Sequence, residues 1–248
     1  NLGQDLPFLL NHTPSVVVNS DAGNGVGYTG IRIRGTDAAR INVTLNGIPY
    51  NDAESQGTFF VDLPDFSSSI NSIQVQRGIG TSSNGAGAFG ATINLSTNEL
   101  NKIKYISTNN SYGSFNTWKN NIQFGSGLLG KNFTIDGRVS RISSDGYIDR
   151  AKSNLRSFYL STAFVTKKNS LRFNIFSGKE KTYQAWNGVA ANLLQTDRTH
   201  NPSGTEKPGA PYDNEVDDYT QTHYQLFYNH KFNKYWKGNV AVFLTRGK

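Results

Sequence analysis

The 248-residue chain contains no cysteine and no methionine, and it has only four histidines. Without cysteine the chain forms no disulfide and offers no thiolate for catalysis or metal binding. The histidines share no metal-ligand spacing, so they do not indicate a metal site. Because the chain also lacks an initiator methionine and a secretory signal, we expect its N-terminus to be processed or cut.

Long apolar segments are absent as well. The longest uninterrupted apolar run covers residues 240–244, whereas a transmembrane helix needs roughly 20 residues. This pattern excludes a membrane protein built from helices and leaves open a barrel, whose strands alternate apolar and polar residues.

Basic residues are in surplus but are dispersed along the chain. The 25 lysines and arginines exceed the 18 acidic residues and give a formal net charge of +7, yet they form no run of five. Dispersed cations argue against nucleic acid as a partner. An anionic ligand or a charged membrane face suits the surplus better.

A glycine-rich segment at residues 85–90 has the spacing of a dinucleotide-binding fingerprint. That fingerprint needs a helix directly after its glycines and an acid about 20 residues further on. Here Ala91–Ser96 alternates apolar and polar residues, which is the period of a strand, and Glu99 comes too early. The glycines Gly85, Gly87 and Gly90 instead predict a tight turn or a place where a Cβ atom would clash.

Residues 1–97 are predicted to form a compact α+β domain with a small mixed sheet and short helices. Short strands are expected near residues 16–18, 31–34 and 72–76. Asn46-Gly47, between two short apolar runs, predicts a hairpin because a type I′ turn needs positive φ at both central positions.

Residues 101–248 follow a different pattern, in which apolar and polar side chains alternate over long segments. About seven such segments of roughly 9 to 12 residues occur, long enough to cross a bilayer when tilted. After the first, their connections alternate between long and short, as in an antiparallel barrel with tight turns on one side of a membrane. Because seven strands cannot close such a barrel, we expect them to be the first part of a larger one.

One face of these strands separates two classes of protein. It is formed by Trp118, Ile122, Phe124, Phe158, Leu160 and Phe164. In a transmembrane barrel this face contacts lipid, whereas in a soluble β-rich carbohydrate-binding or adhesion module it is a buried core. The sequence gives no support to an enzymatic function, since no nucleophile–base pair and no paired carboxylates form a catalytic motif.

Two stretches resemble the plug domain of TonB-dependent outer-membrane receptors. They are IRIRGTDAARINVTLNGIPYND at residues 31–52 and INSIQVQRGIGTSSNGAGAFGATINLST at residues 70–97. The second half, including SSDGYIDRA at residues 143–151, is similar to the first strands of the receptor barrel. The LNGIP stretch and the Asn-rich strands are in the style of receptors of Bacteroidetes. The resemblance implies a plug at residues 1–97 and, at residues 101–248, the first part of a 22-stranded transmembrane β-barrel.

The resemblance also implies a function in the bacterial outer membrane. A scarce ligand binds from outside, and TonB, with ExbB and ExbD, pulls an N-terminal box of the receptor to admit it. We find no convincing box before Leu6. A ferric siderophore is the leading cargo because the positive charge suits anionic chelates, with cobalamin or an oligosaccharide as alternatives. Outer-membrane lipid and a surface lipoprotein are further expected partners, and no cofactor is implied.

The predicted functional residues fall into two loops and a latch. At the plug apex, ligand-binding residues are expected at Tyr50, Asn51, Asp52, Glu54, Gln56, Thr81, Ser82, Ser83 and Asn84. On a long outer loop they are Tyr183, Trp186 and Arg198. Arg34 and Arg77 resemble the two arginines that pair with barrel glutamates in the family and latch the plug.

A cluster of four acidic residues gives a weaker indication of a calcium site. The acids Asp213, Glu215, Asp217 and Asp218 supply the oxygen ligands that calcium prefers, but they lack the spacing and glycine of a calcium-binding loop. A solvated acidic patch is the favoured interpretation.

Overall fold

The computed structural model describes residues 3–79 and 89–248, which form one helix, four short 3-10 segments and thirteen strands. The helix α1 is Leu6–Leu9, and the 3-10 segments are Ala38–Arg40, Phe60–Asp62, Phe66–Ser69 and Ala191–Leu193. The N-terminal strands are β1 (Val16–Ser20), β2 (Thr29–Ile33), β3 (Ile41–Leu45), β4 (Ile48–Pro49), β5 (Ser72–Arg77) and β6 (Ala91–Ser96). The C-terminal strands are β7 (Lys104–Gly113), β8 (Thr117–Ser126), β9 (Phe133–Ser144), β10 (Ser153–Val165), β11 (Asn169–Tyr183), β12 (Val216–Lys231) and β13 (Lys237–Gly247).

The N-terminal strands form a hairpin, β1–β2, and a four-stranded mixed sheet in the order β4-β3-β6-β5. Strand β3 is parallel to β6 and antiparallel to β4. All five residues of β3 are buried, and Ile41, Val43, Ile93 and Leu95 form the centre of the core. The predicted turn at Asn46-Gly47 is present, with φ of 57° and 82°. The expected mixed sheet with short helices is therefore confirmed.

The C-terminal strands form one seven-stranded antiparallel sheet in chain order, from β7 to β13, which we call the meander. The connections at one end are residues 114–116, 145–152 and 184–215, and those at the other end are residues 127–132, 166–168 and 232–236. We call these the long-loop end and the short-turn end. The meander is not closed, so the described residues do not test the expected number of 22 strands.

The outer face of the meander is a continuous apolar belt. Cross-strand pairing aligns Phe164 with Leu171, Leu171 with Tyr228, and Tyr228 with Val240. Ile122 is 47% exposed and Phe164 is 46% exposed, and no second sheet covers them in the described part of the chain. A soluble module would bury these side chains, so the structure does not favour that alternative.

The inner face of the meander is polar and receives the N-terminal part. At Gly178 of β11, an added Cβ would lie 2.1 Å from the backbone oxygen of Asp62, so only glycine permits this close approach. None of the described helices is long and apolar enough to cross a membrane.

The glycine-rich segment is only partly described. Gly85 and Gly87 lie outside the described residues. At Gly90 an added Cβ would lie 2.1 Å from Thr36 Oγ1 and 2.8 Å from the backbone oxygen of Arg40. Gly90 thus avoids a clash, as expected, and the neighbours that a Cβ atom would meet belong to the N-terminal part itself.

Candidate functional site

A buried ion cluster holds the N-terminal part against the meander. Asp65, which precedes the 3-10 segment Phe66–Ser69, lies 2.5 Å from Lys119 Nζ on β8 and 3.4 Å from Arg138 Nη1 on β9. Asp65 also accepts hydrogen bonds from Ser140 and Asn121 of the meander. Burial alone would raise the pKa of Asp65, but the charges of Arg138 and Lys119 hold it below its usual value.

Further hydrogen bonds extend this docking along the inner face. Asn46 Nδ2, in the β3–β4 turn, donates to Gln225 Oε1 of β12 at 3.0 Å. The Tyr159 hydroxyl of β10 donates to Thr97 Oγ1 at 2.9 Å, and Arg172 Nη2 of β11 donates to the backbone oxygen of Asn98 at 3.0 Å. These polar contacts add to apolar ones, such as Phe66 against Phe176 and Val61 in one cluster with Ile142 and Leu155, so both kinds of contact hold the N-terminal part on the meander.

Near the long-loop end, a cavity of about 500 Å³ lies between the N-terminal part and strands β11 to β13. We call it the acidic cavity. The residues that define its chemistry are Tyr28, Tyr50, Asp62, Glu180, Asp217 and His223. Three of them are carboxylates, and none of the described lining residues is lysine or arginine.

The Tyr28 hydroxyl stands between two of the carboxylates. It lies 3.0 Å from Glu180 Oε1 and 2.6 Å from Asp217 Oδ2. Burial and the two neighbouring carboxylates raise the pKa of Tyr28 above its ordinary value, so the hydroxyl keeps its proton and acts as a donor. A loop residue of the N-terminal part thereby joins two adjacent strands of the meander.

Asp62 is the third carboxylate and is almost completely buried, with 4% of its surface exposed. Its Oδ1 atom has no hydrogen-bond partner among the described residues. Burial, together with the negative charges of Glu180 and Asp217, raises the pKa of Asp62 to about 7. Near neutral pH this side chain is therefore poised between its protonated and ionised forms.

Three of the predicted apical residues, Tyr50, Asn51 and Asp52, line the acidic cavity, and the last two also stabilise their own loop. Tyr50 faces the acidic cavity, and its hydroxyl donates to the backbone oxygen of Phe59 at 2.9 Å. Asn51 donates to the backbone oxygens of Ile41 and Gln56, so it holds the loop in place.

Asp52 and its neighbours form the tip of this loop. Asp52 Oδ1 accepts from the backbone N–H groups of Glu54 and Ser55 and from the Ser55 hydroxyl. These hydrogen bonds hold the pKa of Asp52 below its usual value. Glu54 and Gln56 are exposed beside it. The other predicted apical residues, Thr81, Ser82, Ser83 and Asn84, lie outside the described residues.

The predicted residues of the outer loop have different surroundings. Tyr183 is buried, and its hydroxyl lies within hydrogen-bond distance of the backbone oxygens of Ser203 and Tyr212, so it anchors the loop. Trp186 is 63% exposed. Arg198 Nε donates to the backbone oxygen of Leu194 at the loop surface. Trp186 and Arg198 are therefore both exposed to the outside, whereas Tyr183 is not.

The two predicted latch arginines lie on the surface of the N-terminal part. Arg77 Nη1 donates to the backbone oxygen of Pro14 at 3.0 Å, and Arg34 has a positive φ of 54°. Neither forms an ion pair within the part of the chain that the structure describes. Their pairing with barrel glutamates stays a prediction.

The four acids of the calcium hypothesis are not brought together. Asp217 turns inward to Tyr28, whereas Asp218 faces outward and pairs with Lys179 at 3.1 Å, because neighbours on a strand point to opposite faces. Asp213 and Glu215 precede β12. Among the described residues no three acidic or histidine side chains are placed to hold a metal ion.

Sequence reasoning missed Tyr28, Asp62, Glu180 and His223. They lie far apart along the chain and meet only when the N-terminal part docks on β11 and β12. One signal was available, since Asp62 stands in the apolar stretch Phe-Phe-Val-Asp-Leu, and a carboxylate in such a stretch is costly to bury unless it has a partner or a role.

Residues 3–92 match the family model described as TonB-dependent Receptor Plug Domain. No curated protein matches the chain. The fold, by contrast, has extensive likeness to solved structures. The ferric-catecholate import receptor Fiu of E. coli K12, in its open form, has a TM-score of 0.72 and 18% identity, covering 98% of this chain and 36% of that chain.

Two further solved structures have a similar fold. The alcaligin outer-membrane receptor FauA of Bordetella pertussis has a TM-score of 0.68 and 15% identity, covering 98% of this chain and 36% of that chain. FpvA of Pseudomonas aeruginosa PAO1, bound to pyoverdine, has a TM-score of 0.69 and 17% identity, with coverages of 98% and 35%. At these identities the likeness shows the fold alone, a plug domain followed by antiparallel strands. The chain spans about a third of the length of the structures it matches, and the match gives no support to an origin in Bacteroidetes.

Proposed function

We propose that this chain forms the plug and the first barrel strands of a TonB-dependent receptor in the bacterial outer membrane. The observation that carries the proposal is the inverted polarity of the meander. Its outer face is an exposed apolar belt, and its inner face is polar and docks a domain that matches the plug family. Such an arrangement is unfavourable in water and favourable when the belt contacts lipid.

The different lengths of the connections at the two ends of the meander indicate how it is oriented in the membrane. In outer-membrane barrels the short turns face the periplasm and the long loops face outward. The acidic cavity, near the long-loop end, is then reached from outside. Asp52 and Ala53 line it, and Trp186 lines a small neighbouring pocket that shares Tyr28 and Asp217 with it. We infer that a ligand enters there and that TonB, with ExbB and ExbD, supplies the energy for its import.

The cargo that the proposal favours is a ferric siderophore. The support is that the solved structures most similar in fold include the ferric-catecholate receptor Fiu, the alcaligin receptor FauA and the pyoverdine receptor FpvA. Cobalamin and an oligosaccharide are the alternatives within the same class. A surface lipoprotein stays a candidate partner, and Arg34 and Arg77 stay candidates for the plug latch.

Two measurements test the proposal. Full-length protein should fractionate with outer membranes and require detergent for extraction, whereas recovery as a stable soluble monomer would contradict it. A deletion strain should grow poorly when a single ferric siderophore is the iron source, and the same strain without functional TonB should gain nothing from the restored gene. Equal growth of the deletion strain and its parent on every iron, corrinoid and glycan source would contradict the proposed import function.

A further inference from the structure

The acidic cavity contains more negative charge than the chain balances. Asp62 comes from the N-terminal part, Glu180 from β11 and Asp217 from β12, and Glu180 is only 1% exposed. No ion pair within the described ranges 3–79 and 89–248 includes any of the three. Three carboxylates facing one small volume repel one another unless a proton or a cation is present.

Hydrogen-bond donors are also too few. The Tyr28 hydroxyl carries a single proton, so it donates to Glu180 or to Asp217 but not to both. Thr182 Oγ1 supplies one further donor, to Glu180 Oε2. Asp62 Oδ1 has no partner among the described residues although the side chain is buried. A buried ionised carboxylate in this state is costly, so the site favours a ligand that brings both charge and donors.

His223 does not supply the missing positive charge. Its Nε2 atom lies 2.8 Å from Gln221 Oε1, and its Nδ1 atom lies 3.1 Å from Thr245 Oγ1. A neutral imidazole satisfies both contacts by donating from Nε2 and accepting at Nδ1. The ring also stacks on Phe176, with a centroid distance of 4.7 Å, in a packed and partly apolar place.

The remaining walls suit an organic cation. Tyr50, Phe59, Tyr219 and Phe243 line the cavity, and the faces of aromatic rings attract ammonium and guanidinium groups. The volume of about 500 Å³ admits part of a small molecule. A bare metal ion fits less well, since the described acids are not placed to ligate one together.

We propose that the acidic cavity binds a protonated amine or guanidinium group of the imported ligand. This inference rests on the proposed function as a receptor and specifies the chemistry of its cargo. It also changes the expectation drawn from net charge, because the part of the ligand that enters this cavity is cationic and not anionic.

Two fluorinated probes of equal size test the charge preference directly. Purified full-length receptor in a non-ionic detergent is titrated at about pH 8 with 4-(trifluoromethyl)benzylammonium and with 4-(trifluoromethyl)benzyl alcohol, and fluorine NMR reports binding. A charge-assisted hydrogen bond and a ring contact together should favour the ammonium by about tenfold or more. Equal affinities for the two probes would overturn the inference.

Matched variants locate the effect. Asp62→Asn is isosteric and removes the unpartnered carboxylate, so it should lower the affinity for the ammonium by about tenfold while leaving that for the alcohol unchanged. Asp218→Asn, which removes a neighbouring carboxylate on the outer face, should change neither. An unaltered ammonium affinity in Asp62→Asn would also overturn the inference. Absence of siderophore uptake by the wild-type protein, with intact probe selectivity, would instead contradict only the proposed import function.

Discussion

At the scale of single residues, Asp65 has the clearest structural role. It is the shared partner of Lys119 and Arg138, and all three side chains are buried at the boundary between the plug and the meander. The polarity is the reverse of the latch predicted from Arg34 and Arg77, because here the plug supplies the acid and the strands supply the bases. A sequence pattern that locates arginines in the plug therefore does not reveal this contact.

Replacing Asp65 by asparagine should weaken the docking of the plug. The change leaves Lys119 and Arg138 buried without their counter-charge, and breaking a buried pair in this way costs about 3–5 kcal/mol. The measurement is a urea titration of the full-length protein in detergent, monitored by a fluorophore on a cysteine introduced at the exposed Asn11. Glu54→Gln, an exposed change on the same domain, is the control. A midpoint for Asp65→Asn equal to that of the control would contradict the role assigned to this cluster.

Asp62 should make the stability of the plug depend on pH. Its pKa rises from 3.8 to about 7 on folding, so between these values the folded state binds the additional proton. The protonated Asp62 side chain therefore stabilises the folded plug at low pH relative to neutral pH. As pH rises toward 7, the free energy of unfolding falls by up to about 1.4 kcal/mol per pH unit. Asp62→Asn should remove this slope and stabilise the plug at pH 8.

The same urea titration at several values of pH checks this prediction. Glu180 and Asp217 face Asp62 and are present in both proteins, so the comparison of wild type with Asp62→Asn reports the effect of removing this one carboxyl group. Parallel pH profiles for the two proteins would show that Asp62 does not take up a proton on folding.

At the scale of elements, the close approach of the Phe60–Asp62 segment to β11 depends on Gly178. A Cβ atom there would lie 2.1 Å from the Asp62 oxygen and 2.6 Å from Pro64 Cδ. Both neighbours belong to backbone or to a rigid ring, so they cannot rotate away.

Gly178→Val should therefore displace the plug while the barrel still assembles. The expected result is a lower urea midpoint for the plug together with unchanged heat-modifiable migration of the barrel in gel electrophoresis. Gly57→Ala serves as the control, because its nearest contact would be Ser55 Oγ at an ordinary 3.4 Å. Equal plug midpoints in the two variants would show that the strand and the plug can move apart at little cost.

Local pattern was sufficient to predict the strands but not their contacts. Strict alternation identified β8 to β13, and Asn46-Gly47 identified the β3–β4 turn, because both signals lie within a few residues of sequence. The acidic cavity was not predicted, since Tyr28 and Asp217 are separated by 189 positions and meet only through docking. The surroundings of Tyr183 were not predicted either, for a related reason. Its aromatic ring suggested ligand stacking, whereas its hydroxyl anchors the loop from within.

At the scale of the whole molecule, net charge is a poor guide to the ligand. The turns at the short-turn end contain the exposed lysines Lys131, Lys167, Lys168 and Lys234, whereas the acidic cavity lies near the opposite end. The formal charge of +7 thus averages over a lysine-rich short-turn end and an acidic cavity near the long-loop end. The charge that a ligand meets is set by the few groups that line its site.

The apolar belt is the feature on which the membrane proposal depends, and a depth-dependent substitution tests it. Leu226 lies in the belt, paired with Phe173 on one side and Val242 on the other. Arginine at such a position costs about 2–4 kcal/mol in the middle of a bilayer and about 0–1 kcal/mol near its surface. Leu226→Arg should therefore reduce the heat-modifiable, folded receptor recovered from outer membranes. Tyr235→Arg, in a short turn and 79% exposed, should leave it nearly unchanged. Equal recovery of both variants would mean that the belt does not contact lipid.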